Sequence, residues 1–495
     1  MLLSQYPSRE EFRELCKRGN VVPVCREILA DTETPVSVLL KFSGRRDPLF
    51  LLESVEGAER WARYSFLGTG ARAEVSVFRE DLSISEKGTR RREPHNGDPL
   101  SALRAYMAGF TPVILPNLPR FWGGLVGYFT YEMVSFFERI ANKLPENEPL
   151  ARFILTDELF VFDNVRHTLT LVAHAFRENG ADPDAAYDEA LSRLDSMLKG
   201  LSAPLPEPLV PGGLSGCLAP RNPVGSYQEK VRRVKEYIAA GDVIQAVIAQ
   251  PFTAAPAADP ESLYRAQRYV NPSPYMFFFR FGDAALVGSS PETMVRLENG
   301  VATLRPIAGT RRRGKSQQED RALADELLND PKERAEHLML VDLGRNGLGR
   351  VAETGTVQVT DLMFVERYSH VMHLVSNISC DLTSGMDGWD LFRASFPAGT
   401  LSGAPKVRAM EIIAELEDEP RGPYGGAVGY VSFTGNMDLA ITIRTASIQN
   451  GVLTVKAGAG IVADSDPESE HTETVNKAMS IERAVDLVNR SSGAE

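Results

Sequence analysis

The sequence predicts an α+β fold in two lobes, and three observations carry that reading. Apolar, strand-like runs and amphipathic helical stretches are mixed without the regular alternation of a doubly wound sheet. A proline- and glycine-rich stretch, SAPLPEPLVPGG (Ser202 to Gly213), disfavours helix and strand alike and reads as a connector. At 495 residues, 43% of them hydrophobic, the chain is long enough for two domains or one large two-lobed domain. The division is an N-terminal lobe over 1–201, a connector over 202–224 and a second lobe over 225–495.

In the first lobe VSVLLKF (36–42) and PLFLLESVE (48–56) read as strands, and DPDAAYDEALSRLDSMLKG (182–200) as a helix. The second lobe opens on Ser226-Tyr227-Gln228-Glu229, a capping-box pattern. The helix behind it carries Val231, Val234 and Ile238 on one stripe and stops at Gly241. DVIQAVIAQ (242–250) follows as a strand. Later strands are MFFFRFG, ALVGSS, VMHLVSNI, GAVGYVSF, LAITIRTA and LTVKAGAGIV.

Composition excludes several classes. The net charge of −12 is spread along the chain, which argues against nucleic acid as a partner. No stretch has the apolar length of a membrane span, and MLLSQYPSREEF is unlike a signal peptide. Cys16, Cys25, Cys217 and Cys380 lie far apart with no CxxC pair, which fits a reduced cytoplasmic setting.

Two short helices carry paired glutamates. In NDPKERAEHLMLV, Asp330 caps a helix that starts at Pro331, with Glu333 and Glu336 on one face. In DSDPESEHTETVNKA, Asp466 and Pro467 start another, with Glu470, Glu473 and Lys477 on one face. Two such pairs facing one cleft make an oxygen-rich Mg²⁺ site; solvated helix starts, where acids complement the dipole, have the same spacing. AGAG (Ala457 to Gly460) lets backbone approach an anion, or is a bulge. In LAITIRTA, Arg444 shares a face with Thr442 opposite Leu439, Ile441 and Ile443, and is either a carboxylate clamp or a solvent-facing arginine. His373 alternates with Val371 and Val375, as a base or a satisfied core histidine. Gln245 alternates with Val243 and Val247, where an edge-strand polar residue is the simpler reading. Thr400 lies in FPAGTLSGAPK, a glycine-rich loop running into a helix near Pro405. No GxSxG or GxCxG elbow, Walker A or dinucleotide fingerprint is present.

The order of four long motifs is more specific than any of these alone: PIAGTRRRG (Pro306 to Gly314), ERAEHLMLVDLGRN (Glu333 to Asn346), FPAGTLSGAPKVRAMEII (Phe396 to Ile413) and AGAGIVADSDPESEHTETVNKA (Ala457 to Ala478). Together with LLES (Leu51 to Ser54), they resemble the chorismate-utilising enzymes over nearly the whole chain. Within that family they are most similar to the anthranilate synthase large subunits. Ala308 stands where aminodeoxychorismate synthases typically have lysine. Gln245 stands where isochorismate and salicylate synthases typically have a water-activating lysine, a role an amide cannot fill.

The resemblance implies an α+β fold with large sheets packed around a central cleft and helices outside. It implies that Glu336 and Glu473 ligate Mg²⁺, with Glu333 and Glu470 acting directly or through water. The metal grips the ring carboxylate of chorismate, helped by Lys477 and the backbone of Gly458, Ala459 and Gly460. Arg444 and Tyr424 hold the enolpyruvyl carboxylate, and Thr400, Gly309, Thr310 and Gln245 line the pocket. Glu292 is the implied acid for the departing hydroxyl, and His373 the base that removes a ring proton after ammonia adds. A separate glutamine amidotransferase small subunit supplies the ammonia, in heterotetramers of two large and two small chains. LLES and NPSPYMFF resemble a feedback site for L-tryptophan, which Glu53, Ser54, Asn271, Pro272, Ser273, Tyr275, Met276 and Phe277 line. An aminodeoxychorismate synthase large subunit and a non-catalytic tryptophan-binding subunit are the rivals. One departure stands out: the family usually has RNDLGR where this chain has Arg345-Asn346-Gly347-Leu348-Gly349-Arg350. The Asn-Gly pair there favours a tight turn.

Overall fold

Among the described residues the strands assemble into two large sheets, one of thirteen strands and one of twelve. The computed structural model describes residues 1–55, 63–116, 118–177, 182–206, 215–368 and 371–491. Part of the connector, 207–214, therefore lies outside the described residues. The α+β expectation is met, and the chain on both sides of the connector builds both sheets. In the first sheet Leu49–Glu53 pairs antiparallel with Tyr275–Phe281, Glu53 opposite Met276. In the second, Gly124–Phe129 pairs antiparallel with Ala427–Ser432, Phe129 opposite Ala427.

The first sheet is buried on both faces, as its unbroken apolar runs require. Phe277 and Phe279 point into the layer between the sheets with Phe50, Phe66 and Phe121. Phe278 points the other way, beneath the helices with Tyr264. The helix Pro467–Ser491 covers this outer face against the strand Val452–Ile461 and the helix Pro260–Val270. The helix Pro331–Gly349 packs on Ile307–Arg312 and Val371–Asp381 of the second sheet.

Twice in the second half the chain steps directly between sheets. Ala284–Ser290 belongs to the first and Thr293–Glu298 to the second, so Pro291 and Glu292 form a link. Met437–Ile441 belongs to the second and Thr445–Gln449 to the first, so Thr442, Ile443 and Arg444 form another. The links are tied side by side: the Ile441 amide donates to the Glu292 carbonyl (3.0 Å), and the Ser289 amide to the Arg444 carbonyl (3.2 Å).

Several local expectations are corrected. LAITIRTA is two strands, because residue 444 turns into the left-handed region (φ 51°) to change sheets. VSVLLKF is a helix, Pro35–Phe42; Thr34 and Ser37 form a reciprocal capping box and Pro35 occupies the first turn, which outweighs the β-branched content. Ser226 is not a cap. Gly225, at φ 84°, takes that position, and the Ser226 hydroxyl is buried without a hydrogen bond. The glutamate helices are not short, at 19 and 25 residues. Asn346 and Gly347 lie inside the first of them, where continuing helix overrides the turn preference. Gln245 is not on an edge strand, since Gln245–Ala254 is flanked by Val452–Ile461 and by Gly403–Ala404.

Candidate active site

A cleft of about 550 Å³ lies where the two sheet-switching links meet the glutamate helices. Asp330 caps the helix Pro331–Gly349 through the Lys332 and Glu333 amides (2.9 and 3.2 Å), aiming Glu333 and Glu336 into the cleft. The helix Pro467–Ser491 brings Glu470, Glu473 and Lys477 to the opposite wall. Gln245, Glu292, Gly309, Thr310, His373, Thr400, Tyr424, Arg444, Gly458 and Gly460 line the rest. Ala459 does not. It alternates outward into a core with Tyr227 and Val231, because strand residues point to opposite faces in turn.

Glu292 is buried, and burial pushes its carboxyl up to about 8, tempered by the nearby Thr400 hydroxyl. It is therefore protonated at neutral pH and able to act as an acid. His373 places Nδ1 2.9 Å from the Gly309 carbonyl and 3.1 Å from the Thr310 hydroxyl. A carbonyl only accepts, so this geometry assigns the proton to Nδ1 and leaves the Nε2 lone pair free. Burial, then the nearby Arg444 charge against the Gly309 bond, lowers the imidazole pKa and keeps the ring neutral. Arg444 is also desolvated, with its carbonyl held by Gln267 Nε2 (2.7 Å). Its guanidinium forms no ion pair among the described residues, which leaves it free for a ligand carboxylate.

Among the described residues no three His, Cys, Asp or Glu side chains close into a ready metal-ligand set. The glutamates instead take protein partners. Arg311 pairs with Glu333 (3.2 Å), Lys477 with Glu473 (2.6 Å), and Gln245 donates to Glu336 (3.3 Å). Their electrostatics still fit a cation. Glu336 is pushed up by burial and by repulsion from both Glu333 and Glu473, so the two helices' carboxylates oppose each other across the cleft. Hard oxygen donors of this kind suit Mg²⁺.

Glycine is required where strand Val452–Ile461 forms the floor. A Cβ at Gly458 would lie 2.8 Å from the Tyr424 hydroxyl, and one at Gly460 2.5 Å from Gln245 Nε2. Gly460→Ala is expected to displace Gln245 from Glu336 and lower kcat/KM about tenfold, roughly 1.4 kcal/mol in the barrier. Gly349→Ala is the control, because its Cβ would meet nothing within 4 Å. Equal steady-state kinetics in the two variants would remove this role.

The sequence reading missed Lys332 and Lys456, which also line the cleft, and the brace beneath it. Arg421, buried, pairs with Glu417 and donates to the carbonyls of Leu401 (2.6 Å) and Val247 (2.7 Å), joining two walls. No local signal announced it, because Glu417 lies past the end of the helix Lys406–Leu416 and the pair meets across a non-helical turn.

A second, smaller cavity of about 70 Å³ lies between the sheets, lined by Glu53, Ser54, Tyr275, Met276 and Phe277. Asn271, Pro272 and Ser273 do not line it. Asn271 and Ser273 turn to Ser289 instead (3.3 and 2.8 Å). Arg120, Arg296, Tyr430 and Asp438, distant in sequence, complete the wall.

Comparisons with known proteins place the whole chain in a family. The chain belongs to the chorismate-binding enzyme family, which matches residues 50–483. Within that family it belongs with anthranilate synthase component 1. The Aquifex aeolicus protein of that name is 45% identical over 496 residues, 98% of each chain. The Pseudomonas putida protein is 46% identical over 98% of this chain and 99% of its own. The crystal structure of anthranilate synthase component I from Streptococcus pneumoniae TIGR4 has 35% identity and a TM-score of 0.75, covering 92% of this chain and 99% of its own. The menaquinone-specific isochorismate synthase of Escherichia coli, at 21% identity, TM-score 0.70 and coverage of 96% and 98%, shares the fold.

Proposed function

We propose that this chain converts chorismate and ammonia to anthranilate, pyruvate and water. One observation carries the reading: a single cleft holds a carboxyl kept protonated, an imidazole kept neutral and a guanidinium with no ion pair among the described residues. Arg444 takes the enolpyruvyl carboxylate, with the Tyr424 hydroxyl beside it. Lys477, donating to the Gly458 carbonyl at 2.9 Å, stands at the end that receives the ring carboxylate. Ammonia forms a bond to ring carbon 2, and the hydroxyl at ring carbon 4 leaves as water with the Glu292 proton. Nε2 of His373 then takes the proton on carbon 2, the bond from ring carbon 3 to the enolpyruvyl oxygen breaks, the ring aromatises, and the released enolate takes up a proton to become pyruvate. Gln245 offers no base to activate water, which favours ammonia as nucleophile.

Glu336 and Glu473 hold Mg²⁺, with Glu333 and Glu470 acting directly or through water. The bound ion supplies positive charge to the ring carboxylate of a dianionic substrate. The purified chain with chorismate, ammonium at high pH and Mg²⁺ should produce anthranilate fluorescence that EDTA abolishes. Aminodeoxychorismate as the product would move the reading to that sister enzyme. No chorismate consumption would favour a non-catalytic tryptophan-binding subunit.

The ammonia comes from a separate glutamine amidotransferase subunit in a heterotetramer, and the setting is cytoplasmic. No helix among the described residues is long and apolar enough to cross a membrane, and Cys16, Cys25, Cys217 and Cys380 are unpaired. The cavity between the sheets is a feedback site for tryptophan, with an aromatic wall and Glu53 for the ammonium group. At about 70 Å³ it is far below the roughly 300 Å³ of ordinary ligand sites, so binding requires its side chains to move apart. Calorimetry should show one saturable tryptophan site, weakened about tenfold by Ser54→Ala. Absence of heat with the active chain would end this assignment.

A further inference from the structure

Behind the active-site cleft lies another cavity, of about 50 Å³. Glu292, Thr400 and Leu340 belong to both walls. Its other side includes Gly347 of the helix Pro331–Gly349, Ser395, and Lys406 at the start of the helix Lys406–Leu416.

Lys406 is the unusual element. Its ammonium donates to the carbonyls of Pro397 (2.9 Å) and Ser395 (3.3 Å). An ammonium has three N–H donors, so one remains for the cavity. Lys406 forms no ion pair among the described residues, and the nearby charge that disfavours its ionised form is a second cation, Arg350. Glu138 is the one acidic group that acts on it from the same surroundings. Burial and Arg350 together lower the ammonium to about 8, the mark of a cation short of negative charge. The lack of a side chain at Gly347 leaves this wall bare. A Cβ there would approach only the Ala394 carbonyl (3.2 Å) and the Ser395 and Ala394 backbone carbons (3.8 and 4.0 Å).

We propose that this cavity is a small-anion site, in which Lys406, backed by Arg350, holds one monovalent anion of formate size against the wall left bare at Gly347. A 50 Å³ space accommodates about three to four water-sized groups, which matches the heavy atoms of formate. A buried ammonium gains most from such a partner because little water screens the pair.

The test uses the full chain and thermal melting, so its readout does not depend on turnover. Sodium formate is titrated at constant ionic strength, with chloride and bicarbonate as parallel arms. A saturable rise in Tm of about 2 °C is expected for the unaltered chain. Formate acting alone would define a planar two-oxygen site, and an equal effect of chloride a general anion site. Lys406→Met should abolish the response. Gly347→Asp, which supplies a tethered carboxylate on a helical backbone, should melt higher without formate and show no further rise. Should Lys406→Met fail to fold, Gly347→Asp decides the matter by itself. A formate response equal in the unaltered chain and Gly347→Asp, or no response in the unaltered chain, would overturn the proposal.

Discussion

Glu336→Ala and Glu473→Ala should each lose magnesium-dependent turnover, by about 10³-fold in kcat/KM, the equivalent of roughly 4 kcal/mol of lost charge stabilisation. The two residues sit on different helices, and the Glu473 charge raises the cost of ionising Glu336 across the cleft. Removing either relieves that repulsion, so neither variant should lose thermal stability without metal. Both should lose Mg²⁺ binding measured by calorimetry. Glu473→Ala should in addition free Lys477 from its 2.6 Å ion pair. A double variant with full activity and unchanged Mg²⁺ affinity would refute the assignment.

The second large effect belongs to Glu292. Glu292→Gln keeps the shape and removes the acid, and kcat should fall about 10²- to 10⁴-fold while chorismate binding persists. The pH profile carries the diagnostic sign. Burial raises this carboxyl to about 8, so the active, protonated form is lost as pH rises through that value. At limiting chorismate and fixed free ammonia, kcat/KM should therefore decline above pH about 8 in the native chain. The residual rate of Glu292→Gln should lack that limb. His373 acts in the opposite direction: burial lowers its pKa, so its basic form is lost only as pH falls below the ordinary imidazole value of 6.5. A native profile flat through the alkaline range, or a variant that keeps the alkaline limb, would remove Glu292 from the role.

Much of the site was legible along the chain because its parts are local. Asp330 with Pro331, and Asp466 with Pro467, mark helix starts through their own backbone chemistry, and a helix turn then sets Glu333 beside Glu336 and Glu470 beside Glu473. Strand alternation likewise put His373 on one face with Val371 and Val375, and Met372 and Leu374 on the other face are buried. These relations hold whatever the rest of the fold does.

What failed were readings that depend on partners far away in sequence. Arg444 does line the cleft, but not by the strand alternation read from the sequence. It is not one face of a continuous strand but the end of a link between sheets, and only the pairing of Thr445 with Gly288 reveals the break. Arg120, Arg296 and Asp438 meet at the cavity between the sheets through a chain of ion pairs (3.2 and 2.7 Å) that no spacing announces. The Ala459 side chain goes into the core beside Tyr227, a placement set by the register of its strand. By itself the sequence determined the starts of the two glutamate helices, the spacing of the carboxylates and the family order of motifs, because these are properties of adjacent residues. The tertiary structure alone decided how two sheets share both halves of the chain and where the links between them lie. Burial follows from that packing, and burial is what keeps Glu292 protonated, His373 neutral and Lys406 short of a counter-charge.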